Sequence, residues 1–230
     1  MKSMLRFHTS LIVATLVVTL VAGVAGAGDE DKAKAKGLAI GDEILMTDVE
    51  MRNVDGKELT IADVKGKNGT LVMFTCNACP WVKAWEERMA ALGNAAVEKE
   101  IGVIFINSND PRKNKEDGFD EMKSRSKKLS MEFPYVVDET SDVARAYSAT
   151  RTPEAFLFDA KGKLVYHGAI DDNAKKPEEV KAMYLGDALN AVAGGESVEV
   201  AETKALGCSI KVRSATADKS QAEDKDKDKS

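Results

Sequence analysis

Two cysteines stand two residues apart in Cys76-Asn77-Ala78-Cys79, directly after the apolar run Leu71-Val72-Met73-Phe74 and just ahead of Pro80, where helical periodicity begins. A pair so placed suits reversible disulfide formation. A thiol reacts only as thiolate, and the unpaired N–H groups and dipole of a helix start favour negative charge, so Cys76 is expected to have a lowered pKa and to attack. Cys79, about one turn further along, is expected to resolve the mixed disulfide. Half of a zinc site is the competing reading, but that needs a second such pair or a close pair of histidines, and the sequence has neither. Cys208 is left over as a free thiol, an alternative resolving partner or a small buried hydrophobe.

The elements around the pair follow from patterning. Thr70 to Phe74 is apolar throughout and reads as a central strand covered on both faces. Val82, Trp85, Met89, Leu92 and Ala96 recur at helical spacing, which predicts a helix from Pro80 to Lys99, with Pro80 tolerated in its first turn. Ile101 to Ile106 reads as a second buried strand, so strand, helix and strand make a right-handed βαβ unit. Chemistry in such sheets gathers at the carboxyl ends of the strands, where Cys76 lies. Val49 to Lys57, with Asp55-Gly56 at its turn, predicts a hairpin, and Ala155–Phe158 with Leu164–His167 predicts another. Asp110 to Leu129 is crowded with charge and reads as a loop and a solvated helix, or as a docking surface for an acidic partner. Phe133–Val137 suggests a short strand, Asp142–Ala149 a short helix, and Pro177 opens a helix to about Ala193 that Gly194-Gly195 closes.

The formal charge is −5 and basic residues are interspersed with acids, which argues against nucleic acid as a partner. Lys2 and Arg6, the apolar stretch Leu11–Val24 and Ala25-Gly26-Ala27 have the layout of a secretory signal peptide cut after Ala27. The expected organisation is a signal peptide over 1–27, a linker over 28–37, one domain over 38–213 and a disordered charged tail over 214–230. The mature chain would be secreted or periplasmic with no stable membrane span, or membrane-anchored if the signal stayed uncleaved. Cleavage would leave His167 as the sole histidine.

The segments Phe74-Thr75-Cys76-Asn77-Ala78-Cys79-Pro80-Trp81-Val82-Lys83, Arg151-Thr152-Pro153-Glu154-Ala155-Phe156-Leu157-Phe158-Asp159 and Gly168-Ala169-Ile170-Asp171-Asp172 together resemble the redoxin branch of the thioredoxin-like proteins, the superfamily of alkyl hydroperoxide reductase and thiol-specific antioxidant. The resemblance covers Leu38 to about Val212. It implies an α/β, three-layer thioredoxin-like fold with a central mixed sheet, and an exported thiol–disulfide oxidoreductase acting on protein or small-molecule disulfides or thiols, with no cofactor and an unidentified redox partner protein. It further implies that Thr152-Pro153 is joined by a cis peptide bond and faces the dithiol to bind substrate backbone. Gly207-Cys208-Ser209-Ile210 is similar to a late motif of the family, which places Cys208 near the site as an accessory. Arg151 is a candidate to hold a peroxide or carboxylate, and an ordinary solvated residue otherwise.

This chain also departs from its relatives. Thioredoxins proper carry Trp before the first cysteine and Gly-Pro between the two; here Thr75 and Asn77-Ala78 fill those places. They also bury an acid in the strand leading to the dithiol, where Thr70 to Phe74 has none, so the proton acceptor is unassigned. A thiol peroxidase is the first alternative, although peroxiredoxins need Thr or Ser three residues before the peroxidatic cysteine, and Cys76 holds that place relative to Cys79-Pro80. The second is a copper or zinc module of Sco type using His167, but the thiols of those chaperones are one residue further apart.

Overall fold

The computed structural model describes residues 37–214, all within the unit that begins at Ala35. The expected signal peptide, nearly all of the linker and nearly all of the tail lie outside the described residues. Among those described, no helix is long and apolar enough to cross a membrane.

In chain order the strands are β1 (Met51–Asn53), β2 (Glu58–Leu59), β3 (Gly69–Thr75), β4 (Ile101–Asn107), β5 (Tyr135–Val137), β6 (Arg151–Thr152), β7 (Glu154–Asp159), β8 (Leu164–Gly168) and β9 (Cys208–Ser209). The α-helices are α1 (Pro80–Glu98), α2 (Phe119–Lys128), α3 (Asp142–Ala146) and α4 (Tyr184–Gly194). Seven strands form one mixed sheet in the order β2-β1-β5-β4-β3-β7-β8, and β6 and β9 form a separate antiparallel pair. β3 and β4 run parallel, with Gly69 opposite Ile101 and Thr75 opposite Asn107, while β7 returns antiparallel along the other edge of β3.

Alternation divides the core between the two faces of this sheet. Leu71, Met73, Val103 and Phe105 pack with Trp85 and Met89 of α1, Met122 of α2, and Leu185 and Leu189 of α4. Their neighbours Val72, Phe74, Ile104 and Ile106 point the other way, to Val143 and Ala144 of α3 and to Tyr147. Every residue of β3 is buried, which is why its sequence shows no polar face. The βαβ unit and both hairpins form as the patterning predicts. Gly56, at the first hairpin's turn, has φ +90, a backbone angle that glycine takes without strain.

One element departs from expectation. The helix expected from Pro177 to Ala193 is broken: Pro177–Glu179 makes a single 3-10 turn, Val180 is extended, and α4 begins only at Tyr184. The chain leaves helical geometry because Asp172 holds it through both backbone and side chain. The Asp172 amide donates to the Ala182 carbonyl (3.2 Å), and its Oδ1 accepts from the Lys181 amide (3.0 Å). Lys181 and Ala182 thus bond to Asp172 instead of carrying the turn on into α4.

β4 is fixed against the loop before β3 by a close approach at Gly102, where a Cβ would fall 1.7 Å from the Val64 carbonyl oxygen and 2.6 Å from the Gly66 nitrogen. Backbone on both sides cannot yield as a side-chain end can. Gly102→Ala should therefore destabilise the fold by about 1–3 kcal/mol or more, read as a lowered urea midpoint with an unchanged m value.

Candidate active site

β3 ends at Thr75, and α1 starts at Pro80 with Cys79 as its N-cap. The cysteine at the helix start is therefore Cys79. Cys76 lies in the turn before it, 1% exposed, and its thiol is pushed up rather than down, which corrects the expectation that the helix start lowers its pKa. Cys79 is 3% exposed and Cys208 half-buried, and all three cysteines are free thiols.

Thr152 touches the whole group. Its hydroxyl lies 3.4 Å from Cys76 Sγ, its carbonyl oxygen lies 3.1 Å from Cys79 Sγ, and it pairs with Cys208 across β6 and β9. The Thr152–Pro153 bond is cis, as the resemblance implies. The three thiols and Val82 form a small cluster of their own, with Trp81 against it.

Charge is divided unequally among the sulfurs. The Cys76 thiol, facing Cys79 as a hydrogen-bond donor, is the largest influence pulling Cys79 well below the ordinary thiol range. Burial opposes this, and the Cys208 thiol and the N–H groups of Val82 and Cys208 add to it. Cys76 moves the opposite way, first because its proton serves Cys79, then because it is buried and faces the carboxylate of Asp117. Cys208 is pushed up to about 11, chiefly by burial and secondly by the Cys79 sulfur. The Thr152 carbonyl is an acceptor and favours Cys79 as thiol, but the donors around this sulfur outnumber it. The helix start and the neighbouring thiols thus favour negative charge on Cys79 over Cys76, which faces Asp117.

Beneath the thiols lies a polar network that the sequence reading did not single out. Asp117, 3% exposed, accepts on Oδ1 from the amides of Asn77 (2.8 Å) and Ala78 (2.9 Å), the two residues between the cysteines. Its Oδ2 accepts from Asn109 Nδ2 (2.8 Å), and its carbonyl from Asn107 Nδ2 (3.0 Å). The Asn77 side chain donates to the Glu116 carbonyl and accepts from the buried hydroxyl of Tyr135. Asn109 Oδ1 in turn accepts from the Lys211 amide (2.8 Å), and Ile210 N donates to the Thr150 carbonyl (3.0 Å). The segment from Gly207 to Arg213 is thereby strapped over the cysteines and tied to the loop beneath them. A Cβ at Gly207 would meet the Thr152 carbonyl oxygen at 2.2 Å, so this approach requires glycine.

The Thr150–Thr152 backbone is held from behind. Glu154, buried, accepts from the amides of Thr150 and Arg151 (2.8 Å each), and His167 Nε2 donates to its other oxygen (2.8 Å). His167 also stacks on Phe156. Its ring thus supports the hairpin, and among the described residues no group of three His, Cys, Asp or Glu is placed to hold a metal ion. Arg151 is exposed and reaches the Gly207 carbonyl at 3.4 Å. Asp171 fixes α1 by accepting from Trp85 Nε1 (2.8 Å) and pairing with Arg88.

Residues 40–167 match the model of the AhpC/TSA family. The chain belongs to the AhpC/TSA family. With membership comes a thiol-based redox function, although the family includes both oxidoreductases and peroxidases. Among solved structures, a hypothetical protein from Sinorhizobium meliloti is 30% identical, with 78% of this chain and 98% of that one covered and a TM-score of 0.71. An uncharacterized conserved protein from Geobacillus kaustophilus is 35% identical over 77% of this chain and 94% of that one, with a TM-score of 0.70. A thioredoxin-like protein solved in its oxidised form is 16% identical, covers 69% of this chain and 97% of its own, and shares the fold at a TM-score of 0.53. No curated protein matches the chain.

Asp117→Asn would face the Asn109 amide with a second amide, and turning Asn109 round would set its NH₂ against the Lys211 N–H. It should cost about 1–3 kcal/mol in a urea titration. Because a negative neighbour of Cys76 is removed, Cys76 should also be alkylated by iodoacetamide at lower pH than in the wild type.

Proposed function

We propose that the protein is an exported thiol–disulfide oxidoreductase in which Cys79 attacks the substrate disulfide. The observation that carries this reading is the position of Cys79 as N-cap of α1, packed in one cluster with the Cys76 and Cys208 thiols. The N-terminal residues support export through their basic, apolar and small-residue regions.

The proposed cycle uses each contact in turn. β9 is two residues long and has β6 as its strand partner, so parting that pair opens Cys79 and the Thr152 backbone to a substrate chain. Cys79 as thiolate attacks one substrate sulfur, the S–S bond breaks, and the other sulfur leaves as thiolate and takes a proton from solvent. A neighbouring thiol of the cluster then gives up its proton, displaces the second substrate sulfur and leaves a protein disulfide. The Thr152 backbone, fixed by Glu154, offers hydrogen bonds to a substrate strand, and exposed Arg151 stands at its edge. Substrates are protein or small-molecule disulfides.

Reduction of insulin by the dithiol form should fall to background in Cys79→Ser. Hydrogen peroxide consumption with a dithiol donor should stay slow beside it, and the reverse ranking would make the protein a peroxidase. Because ionisation of Cys79 lies below the ordinary thiol range, the attack rate should be level across neutral pH and fall only in acid. In Cys76→Ala the donor with the largest influence is gone, so that fall should move to higher pH.

A further inference from the structure

We propose that Cys208 is the thiol that resolves the mixed disulfide on Cys79, so that the disulfide first formed within the protein is Cys79–Cys208 rather than Cys76–Cys79. This rests on the reading of Cys79 as the attacking thiol.

Three features of the cluster lead here. Cys79 packs in one cluster with both Cys76 and Cys208, and each of these thiols favours charge on it. Cys208 is brought there by a dedicated strand pair, in which it stands opposite Thr152, whose carbonyl is 3.1 Å from Cys79 Sγ. Cys208 is also the most exposed of the three, which suits a group that must part from the site and return.

The order of events favours Cys208 over Cys76. While Cys79 is a thiolate, it holds the proton of each neighbour in place. Once Cys79 is in a mixed disulfide its charge is gone, and the two opposing effects of Cys79 on Cys208 go with it. Lys211, close by, then favours the Cys208 thiolate. Cys76 gains less, because its deeper burial and the Asp117 carboxylate remain. The Cys208 proton passes to solvent, its thiolate attacks Cys79 Sγ, and the substrate sulfur leaves as thiolate and takes up a proton. Overall one substrate disulfide is reduced to two thiols while Cys79 and Cys208 are oxidised to a disulfide.

The test uses oxidised glutathione as the disulfide, an acid quench, alkylation of remaining thiols and non-reducing trypsin digestion with mass spectrometry. The digest separates Asn68–Lys83, with Cys76 and Cys79, from Ala205–Lys211, with Cys208. In Cys76→Ser we expect the two peptides linked through Cys79 and Cys208, with complete loss of the glutathione adduct. In the wild type the same link should be the first disulfide seen. Glutathione retained on Cys79 of Cys76→Ser, with Cys208 alkylated, would overturn the proposal. A wild-type Cys76–Cys79 disulfide with Cys208 always alkylated would overturn it too, yet leave the oxidoreductase reading standing. Failure of wild-type Cys79 to react at all would defeat both.

Discussion

Thr152 is the residue on which the site depends. A single backbone carbonyl faces Cys79, the hydroxyl of the same residue faces Cys76, and its strand pairing brings in Cys208. The thiols therefore meet because one residue from a distant part of the chain is held still between them. Glu154 does the holding, by accepting the two amides that precede Thr152 while His167 fixes the other carboxylate oxygen. The strand β7 that carries Glu154 is registered against β3, the strand that delivers the cysteines, with Phe74 opposite Glu154. Sheet register is thus converted into thiol geometry, since a slip of one residue would turn every side chain of β7 to the other face.

The second support is Asp117. Its carboxylate holds the amides of Asn77 and Ala78, and through Asn109 it reaches the backbone of the C-terminal strap. These amides are therefore occupied and do not turn toward a sulfur. The negative charge that Asp117 brings beside Cys76 disfavours a thiolate there. Two effects, the helix start under Cys79 and the carboxylate beside Cys76, push charge in the same direction along the motif. Such placement of one acidic and one reluctant thiol is how an enzyme assigns attacking and waiting roles to chemically identical groups.

The fold was legible where the hydrophobic pattern had a single reading. β3 and β4 are too apolar for a solvated face, and the spacing from Val82 to Ala96 fits only a helix, so the βαβ unit and the position of the cysteines followed. The broken helix after Pro177 was not legible, because the competing bonds come from Asp172, whose proximity only the folded chain reveals. The surroundings of the two thiols were hidden for a related reason. The helix start at Pro80 was read correctly, but the Asp117 carboxylate beside Cys76 and the approach of Cys208 to Cys79 come from distant parts of the chain that spacing along the motif does not reveal. Asp117 was hidden among the charges from Asp110 to Leu129, where nothing in its sequence surroundings separates a buried carboxylate from solvated ones. Asn77 offered one signal, since a polar side chain between two buried cysteines needs partners, and Glu116 and Tyr135 supply them. Glu154, next to Thr152-Pro153 at the head of a buried strand, offered a similar one.

The central claim is that the motif's second cysteine, not its first, carries the reactive charge. Site-resolved alkylation of the fully reduced wild-type protein tests it most directly, with the extent of labelling at Cys76, Cys79 and Cys208 followed by mass spectrometry as pH is raised from acid to alkaline. The account predicts that Cys79 is labelled first, well below the pH at which an ordinary thiol ionises, with Cys208 following only in alkali and Cys76 last. Labelling of Cys76 ahead of Cys79 would contradict it.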